Sequence, residues 1–403
     1  MPSTPSQQQP GVAFGILGAI SVSHMINDMM QSLILAIYPL LSGKFALSFG
    51  QIGLITLVYQ LTASIFQPLV GFYTDRKSTP YSLPVGMGFT LAGLVLLGFA
   101  PNYLSVLLAA ALVGLGTSVF HPESSRVARM ASGGRHGLAQ SVFQVGGNTG
   151  GALGPLLTAA VITPFGLRSI AGFAVAALAG IVLLVFVSRW YAAHHVAAKA
   201  RAAQHRTSAQ TLPKKHIARV ISVLLVLIFS KYFYIASISS YYTFYLIHRF
   251  GVSVQHSQLL LSVFLFATAA GTLIGGPLGD RIGRKPVIWA SVLGVAPFAL
   301  ILPHANLPWT VALAVLIGLI LSSAFPAILI YAQELLPGKI GVISGLFFGF
   351  AFGMGALGAA VLGELIDYTN IVFVYNVVAF LPLLGIVAAL LPSNKIKPQS
   401  RSR

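Results

Sequence analysis

The sequence predicts an all-α membrane protein of twelve transmembrane helices, arranged as two pseudo-symmetric six-helix bundles. Three observations lead there. Only 8% of the 403 residues are charged and 56% are hydrophobic, with a mean hydropathy of +0.85. A soluble domain carries roughly 25% charged residues to wet its surface. Apolar runs long enough to cross a ~30 Å hydrocarbon core recur along the whole chain. The third observation is a repeat. The stretch Gly114–Gly154 is written again 204 residues later, with Pro122 recurring as Pro326, Gly134 as Gly338, and Gly151–Gly154 as Gly355–Gly358. Two homologous halves in a chain this apolar are the pattern of a transporter with its substrate site between them.

The spans are expected at 14–41, 51–73, 82–100, 103–129, 138–163 and 168–188 in the first half. The second half gives 220–247, 257–279, 286–303, 308–335, 341–366 and 370–391. Glycine and proline inside these runs are compatible with helices in lipid, because neighbouring helices re-satisfy the backbone. The domain reading follows: a disordered cytoplasmic start at 1–12, a six-helix bundle at 13–188, a basic linker at 189–219, a second bundle at 220–391, and a basic tail at 392–403. The start lacks a basic n-region and a cleavage signature, so it does not read as a signal peptide.

The net charge of +17 reflects topology, not nucleic-acid binding. If both termini are cytoplasmic, 20 of the 24 Lys and Arg residues fall in inner loops, linker and tails. Only Lys44, Arg168 and Arg249 fall outside, and Lys231 lies within the seventh span. That asymmetry is the positive-inside pattern. It fits a multi-pass membrane protein with its basic loops among anionic headgroups, and a monomer is expected. The absence of cysteine excludes disulfides and thiolate metal sites. No metal or cofactor is expected. No span carries an HExxH zinc site or a GxSxG match, so catalysis is not expected either.

Between the eighth and ninth spans, Gly276-Pro-Leu-Gly-Asp280-Arg281-Ile-Gly283-Arg284-Lys285 forms a tight turn. Small residues allow close helix approach, and the aspartate can accept from a neighbouring helix N-terminus. This turn resembles the loop signature of the major facilitator superfamily. The first-half copy keeps Gly71, Asp75 and Arg76, but Lys77-Ser78-Thr79-Pro80 departs from it. In the fifth span, Gly146, Gly150, Gly154 and Pro155 resemble the glycine–proline motif of drug/proton antiporters, with Thr158-Ala159 replacing the usual glycine pair. The same stripe would also pack two helices in any transporter. An arginine frequent in the fourth span of the superfamily is absent, since Ala110 stands at that place. Residues Phe14–Leu41, Val119–Gly147 and Ile228–Tyr245 resemble the bacterial fosmidomycin-resistance family of inner-membrane efflux transporters. The resemblance implies export of a small phosphonate by proton antiport. Import or export of a sugar or small organic acid on the same fold is the alternative.

An ionisable group at mid-membrane costs at least ~2.5–3.5 kcal/mol, so each marks a candidate site. Asp28 lies mid-way along the first span and shares about 100° of arc with Ser21, His24, Asn27, Gln31 and Tyr38. The stripe reads as a cavity wall in which Asp28 or His24 exchanges protons, or as a hydrogen-bonded cluster between helices. In the fourth span Glu123 and Arg126 pair at i,i+3, while His121 points about 160° away unless Pro122 distorts the helix. Arg126 and His121 are candidate substrate contacts and Glu123 a candidate proton carrier; the alternative for the Glu123–Arg126 pair is a cytoplasmic gate. Lys231, with Tyr234, Tyr241, Tyr242 and Tyr245 on its side of the helix, offers donors for phosphonate oxygens, or serves as a counter-ion to Asp28. Gln140, Gln144 and Asn148 form a neutral stripe suited to cavity lining or helix bonding. Gln31, Asn27, Gln144, Tyr234 and Tyr242 complete the expected substrate contacts, and Glu334 and Glu364 read as interfacial.

Overall fold

The computed structural model describes residues 11–47, 49–208, 213–336 and 338–392. It is helical throughout, with no strand among the described residues. Residues 1–10 of the expected start at 1–12 and 393–403 of the expected tail at 392–403 lie outside them.

The helices follow the apolar runs. The first span is Phe14–Ala36, continued after a one-residue break by Tyr38–Phe45; the second is Phe49–Arg76, the third Ser82–Gly98 and the fourth Tyr103–Met130. The fifth is His136–Leu157, closed by a π turn at Thr158–Ile162 just after Pro155. The sixth begins with a 3₁₀ turn and runs as Ala174–Ser208. In the second half the seventh is Lys214–Phe250, the eighth Val254–Ile282, and the ninth a chain of short helices from Arg284 to His304. The tenth is Leu307–Ser322 followed by Ala324–Leu335, and the eleventh is Ile340–Tyr368. Ile371–Val378 and the 3₁₀ segment Leu381–Leu390 make the twelfth.

Among the described residues, nine segments are long and apolar enough to cross a membrane. The other three expected passages are helical but atypical. The third has 17 residues, and the first and fifth carry the polar stripes. The part of the expected linker at 189–208 is a continuation of the sixth helix. Its alanine-rich sequence explains this, since alanine is the best helix former. Residues 209–212 lie outside the description.

The halves meet where the second span packs on the eleventh and the fifth on the eighth. Glycine makes both approaches possible. A Cβ on Gly71 would overlap the Gly341 backbone, and one on Gly137 or Gly276 would overlap the other's backbone. Further along, Gly345 lies on the Gln67 carbonyl and Gly349 on that of Ser64. The fifth-span stripe of Gly146, Gly150 and Gly154 faces the first span, against Ser21, Met25 and Ser32. That stripe packs helices within one half.

Candidate functional site

At the face carrying the basic loops, each signature aspartate crosses to the other half. Asp75 accepts from the Gly341 and Val342 amides, both at 2.9 Å. Asp280 accepts from the Gly137 and Leu138 amides at 3.0 and 2.9 Å. Both carboxylates thus cap the first turn of a helix whose amides lack internal partners, where negative charge is stabilised. Each is braced by an arginine, Arg284 buried and Arg126 half-buried. Arg126 reaches Asp75 at 2.7 Å, Glu123 at 3.2 Å and the Thr74 carbonyl at 2.7 Å. Arg284 reaches Asp280 at 2.6 Å and Glu334 at 3.3 Å. Between these two latches Gln333 donates to Ser125 and Ser344, and accepts from Arg129 at 3.1 Å. The arrangement ties the halves together at this face.

Arg126 and Glu123, expected at the substrate or the gate, stand together beside the Asp75 latch. Of the other loop residues, Arg76 lies over the Phe72 ring at 3.9 Å, and Gly283 takes the positive φ of 96° that its turn requires. Arg281 is an exposed residue next to Asp280. The fourth span is one unbroken helix through Pro122. His121 accordingly faces away from Glu123, toward the first span.

There a compact cluster forms. His24 Nε2 stands 3.2 Å from Asp28 Oδ2 and 3.2 Å from His121 Nε2, and His121 Nε2 stands 3.5 Å from Asp28 Oδ1. Asn27 and Gln31 donate to Asp28 Oδ1 at 3.1 and 2.9 Å, and Tyr59 donates to Gln31 at 2.6 Å. Both histidines are fully buried, whereas Asp28 retains 19% exposure. The His24 ring stacks on Phe143 at 4.0 Å, and His121 meets Phe348 and Phe352 of the second half at 5.1 and 5.0 Å. Much of the first-span stripe bonds to other helices: Ser21 to the Val142 carbonyl and Tyr38 to Thr56.

Lys231 is 3% exposed. Its ammonium lies 5.1 Å from the Tyr232 ring and 5.3 Å from the Phe325 ring, and no carboxylate among the described residues pairs with it. Phe325 contacts Phe348 at 5.1 Å, and Phe348 contacts His121. Two phenyl rings thus stand between the lysine and the Asp28 cluster, so the lysine is not its counter-ion. Tyr234 and Tyr242 lie in a separate core with Tyr245 and Tyr375, and the Tyr242 hydroxyl has no partner. Gln144 is buried with an unpartnered carbonyl oxygen, and Asn148 donates to Thr272 of the eighth span at 3.0 Å. Sequence reasoning missed Thr74, Tyr59 and Gln333. Their signal was only a polar residue inside an apolar helix, which many packing positions share.

A helical membrane protein of two related halves, latched at one face and holding an unpaired cation and a carboxylate at its centre, is a transporter by class. The chain belongs to the major facilitator superfamily: the profile of the "Major Facilitator Superfamily" matches residues 20–256 and 224–403. It is a multi-pass transporter of the bacterial inner membrane, not an enzyme. It is 64% identical to the fosmidomycin resistance protein of Escherichia coli K12, covering 96% of this chain and 94% of that one. An uncharacterised MFS-type transporter of Bacillus subtilis is 42% identical over 96% of this chain and 95% of its own. Among solved structures, the fucose:proton symporter FucP in the outward conformation superposes with a TM-score of 0.71 at 14% identity, covering 94% of this chain and 98% of that one. The human organic anion transporter MFSD10 gives 0.72 at 15% identity, covering 93% and 99%.

Proposed function

We propose that this chain exports fosmidomycin-like phosphonates across the inner membrane by alternating access, driven by proton antiport. The observation that carries the reading is Lys231, a buried ammonium without a carboxylate partner. Burying an unpaired charge is costly, and an anionic substrate arriving beside it removes that cost through charge-assisted hydrogen bonds. The 64% identity to a fosmidomycin resistance protein supplies the substrate class. The basic loops support a cytoplasmic assignment for the latched face, and with it both termini. The latched state is then the one that receives protons from outside and has released substrate there.

Expression in cells lacking other exporters is expected to lower fosmidomycin accumulation and raise resistance. An importer would do the opposite, so increased sensitivity would overturn the reading. In proteoliposomes, fosmidomycin movement is expected to accelerate several-fold under an imposed pH gradient. Transport indifferent to that gradient would remove proton coupling and leave export standing.

A further inference from the structure

His24, Asp28 and His121 converge with the dimensions of a coordination shell. Their three separations are 3.2, 3.2 and 3.5 Å. Two ligands of a tetrahedral zinc ion, each about 2.0–2.1 Å from the metal, stand about 3.3 Å apart. The two imidazole nitrogens thus stand at the edge length of such a tetrahedron, and the carboxylate turns Oδ2 toward His24 and Oδ1 toward His121.

The imidazoles also hold the required tautomer. His24 Nδ1 lies 2.8 Å from the Phe143 carbonyl, and His121 Nδ1 lies 3.2 Å from the Thr117 carbonyl. A carbonyl oxygen only accepts, so each Nδ1 carries a hydrogen, and Nε2 is the nitrogen that a neutral ring offers to a metal. At 3.2 Å the two Nε2 atoms are close enough to share a proton or to be bridged by a metal ion. A backbone carbonyl behind the far nitrogen is the outer support that metal-bound histidines use. Asn27 and Gln31 steady the carboxylate in the same way.

Space for the ion comes from Gly147 on the fifth span. A Cβ built there would lie 2.5 Å from His24 Nε2 and 2.7 Å from Asp28 Oδ2. The other charged groups are engaged elsewhere, Glu123 and Arg126 with Asp75 at the latch and Lys231 behind Phe325 and Phe348.

We propose that His24, Asp28 and His121 bind a divalent transition-metal ion of the zinc class, with a fourth coordination position on the exposed side of Asp28. Water completes the shell there. An anionic phosphonate oxygen can replace it, a step that rests on the export reading above. Neutral imidazole nitrogens with one carboxylate suit zinc and cobalt, whereas magnesium and calcium prefer all-oxygen shells.

The test uses the full chain without a histidine tag, stripped with chelator and titrated with Co²⁺ in detergent. The expected result is one equivalent bound with the intense visible absorption of a four-coordinate site, displaced by Zn²⁺. His24→Asn and His121→Asn are each expected to weaken binding at least ten-fold. Gly147→Ala, which keeps all three ligands, is expected to do the same by filling their space. His194→Asn, on the exposed continuation of the sixth helix, leaves binding unchanged. Zn²⁺ should raise the unfolding temperature of the parent and the His194 variant but not of the other three. A six-coordinate cobalt spectrum, or a four-coordinate signal surviving the His24→Asn/His121→Asn double substitution, overturns the site. Should a ligand variant not fold, the cobalt spectrum of the parent and the titration of Gly147→Ala decide. Export is read separately: loss of metal binding with export intact sinks this site alone, and metal binding without export sinks the functional reading alone.

Discussion

Lys231 makes a prediction that separates affinity from stability. A buried charge without a partner destabilises the fold that holds it, and replacing it by an apolar residue of similar length relieves that. Lys231→Met is expected to raise the unfolding temperature while weakening fosmidomycin binding at least ten-fold, measured by calorimetry and thermal unfolding on the same preparation. A drop in both would mean that the lysine is paired. His136 carries a second prediction, about pH. It opens the fifth helix just outside the membrane-spanning part, bonded to Ser132 at 2.6 Å. Burial, then the charges of Arg129 and Arg284, hold its pKa well below the ordinary imidazole value. A depressed folded pKa means that the unfolded chain takes up the proton first. The stability from neutral His136 is thus fully present above pH ~6.5 and lost progressively as pH falls below it. His136→Gln should flatten that part of the stability–pH curve.

At the scale of elements, the two latches are related but not copied. Asp75 and Asp280 correspond, and so do the amides they bind, since Gly341 and Val342 lie 204 residues beyond Gly137 and Leu138. The bracing arginine differs. Arg284 comes from the loop itself, whereas Arg126 reaches in from the fourth span, Lys77-Ser78-Thr79-Pro80 having no equivalent of Arg284. Removing Arg126 leaves Asp75 and the fully buried Glu123 without their cation, a loss of about 3–5 kcal/mol for a buried pair broken on one side. The chain has no native cysteine, so one introduced reporter reads the result. Ser125→Cys, buried beside Gln333 and Ser344, is expected to resist maleimide in the parent and to label at least ten-fold faster once Arg126→Ala is added. Equal labelling rates would mean that Arg126 does not hold this face closed.

Across the whole molecule, helices and halves were legible because lipid enforces both the length of an apolar run and the repeat of its small residues. The fourth span was legible further still. The 160° between His121 and Glu123 already implied two destinations, and the unbroken helix sends one to Asp28 and the other to the latch. The expected tyrosine company of Lys231 was not recovered, because angular position on one helix does not say which neighbouring helix arrives. Tyr232 and Phe325 fill that place. Nor did the glycine stripe announce that it packs within one half, since close packing looks alike in sequence whichever helix is the partner. Partners from other spans are a tertiary property. The bare backbone contact of Gly71 with Gly341 nevertheless reaches beyond packing. It makes the closeness of the two halves depend on a single missing carbon. A methyl group wedged between two packed backbones costs roughly 1–3 kcal/mol, a large part of the about 5.5 kcal/mol that separates a 99:1 preference from its reverse. Gly71→Ala should therefore loosen the latch between the halves, read as faster maleimide labelling of Ser125→Cys than in the parent; an unchanged rate would mean that the contact only packs.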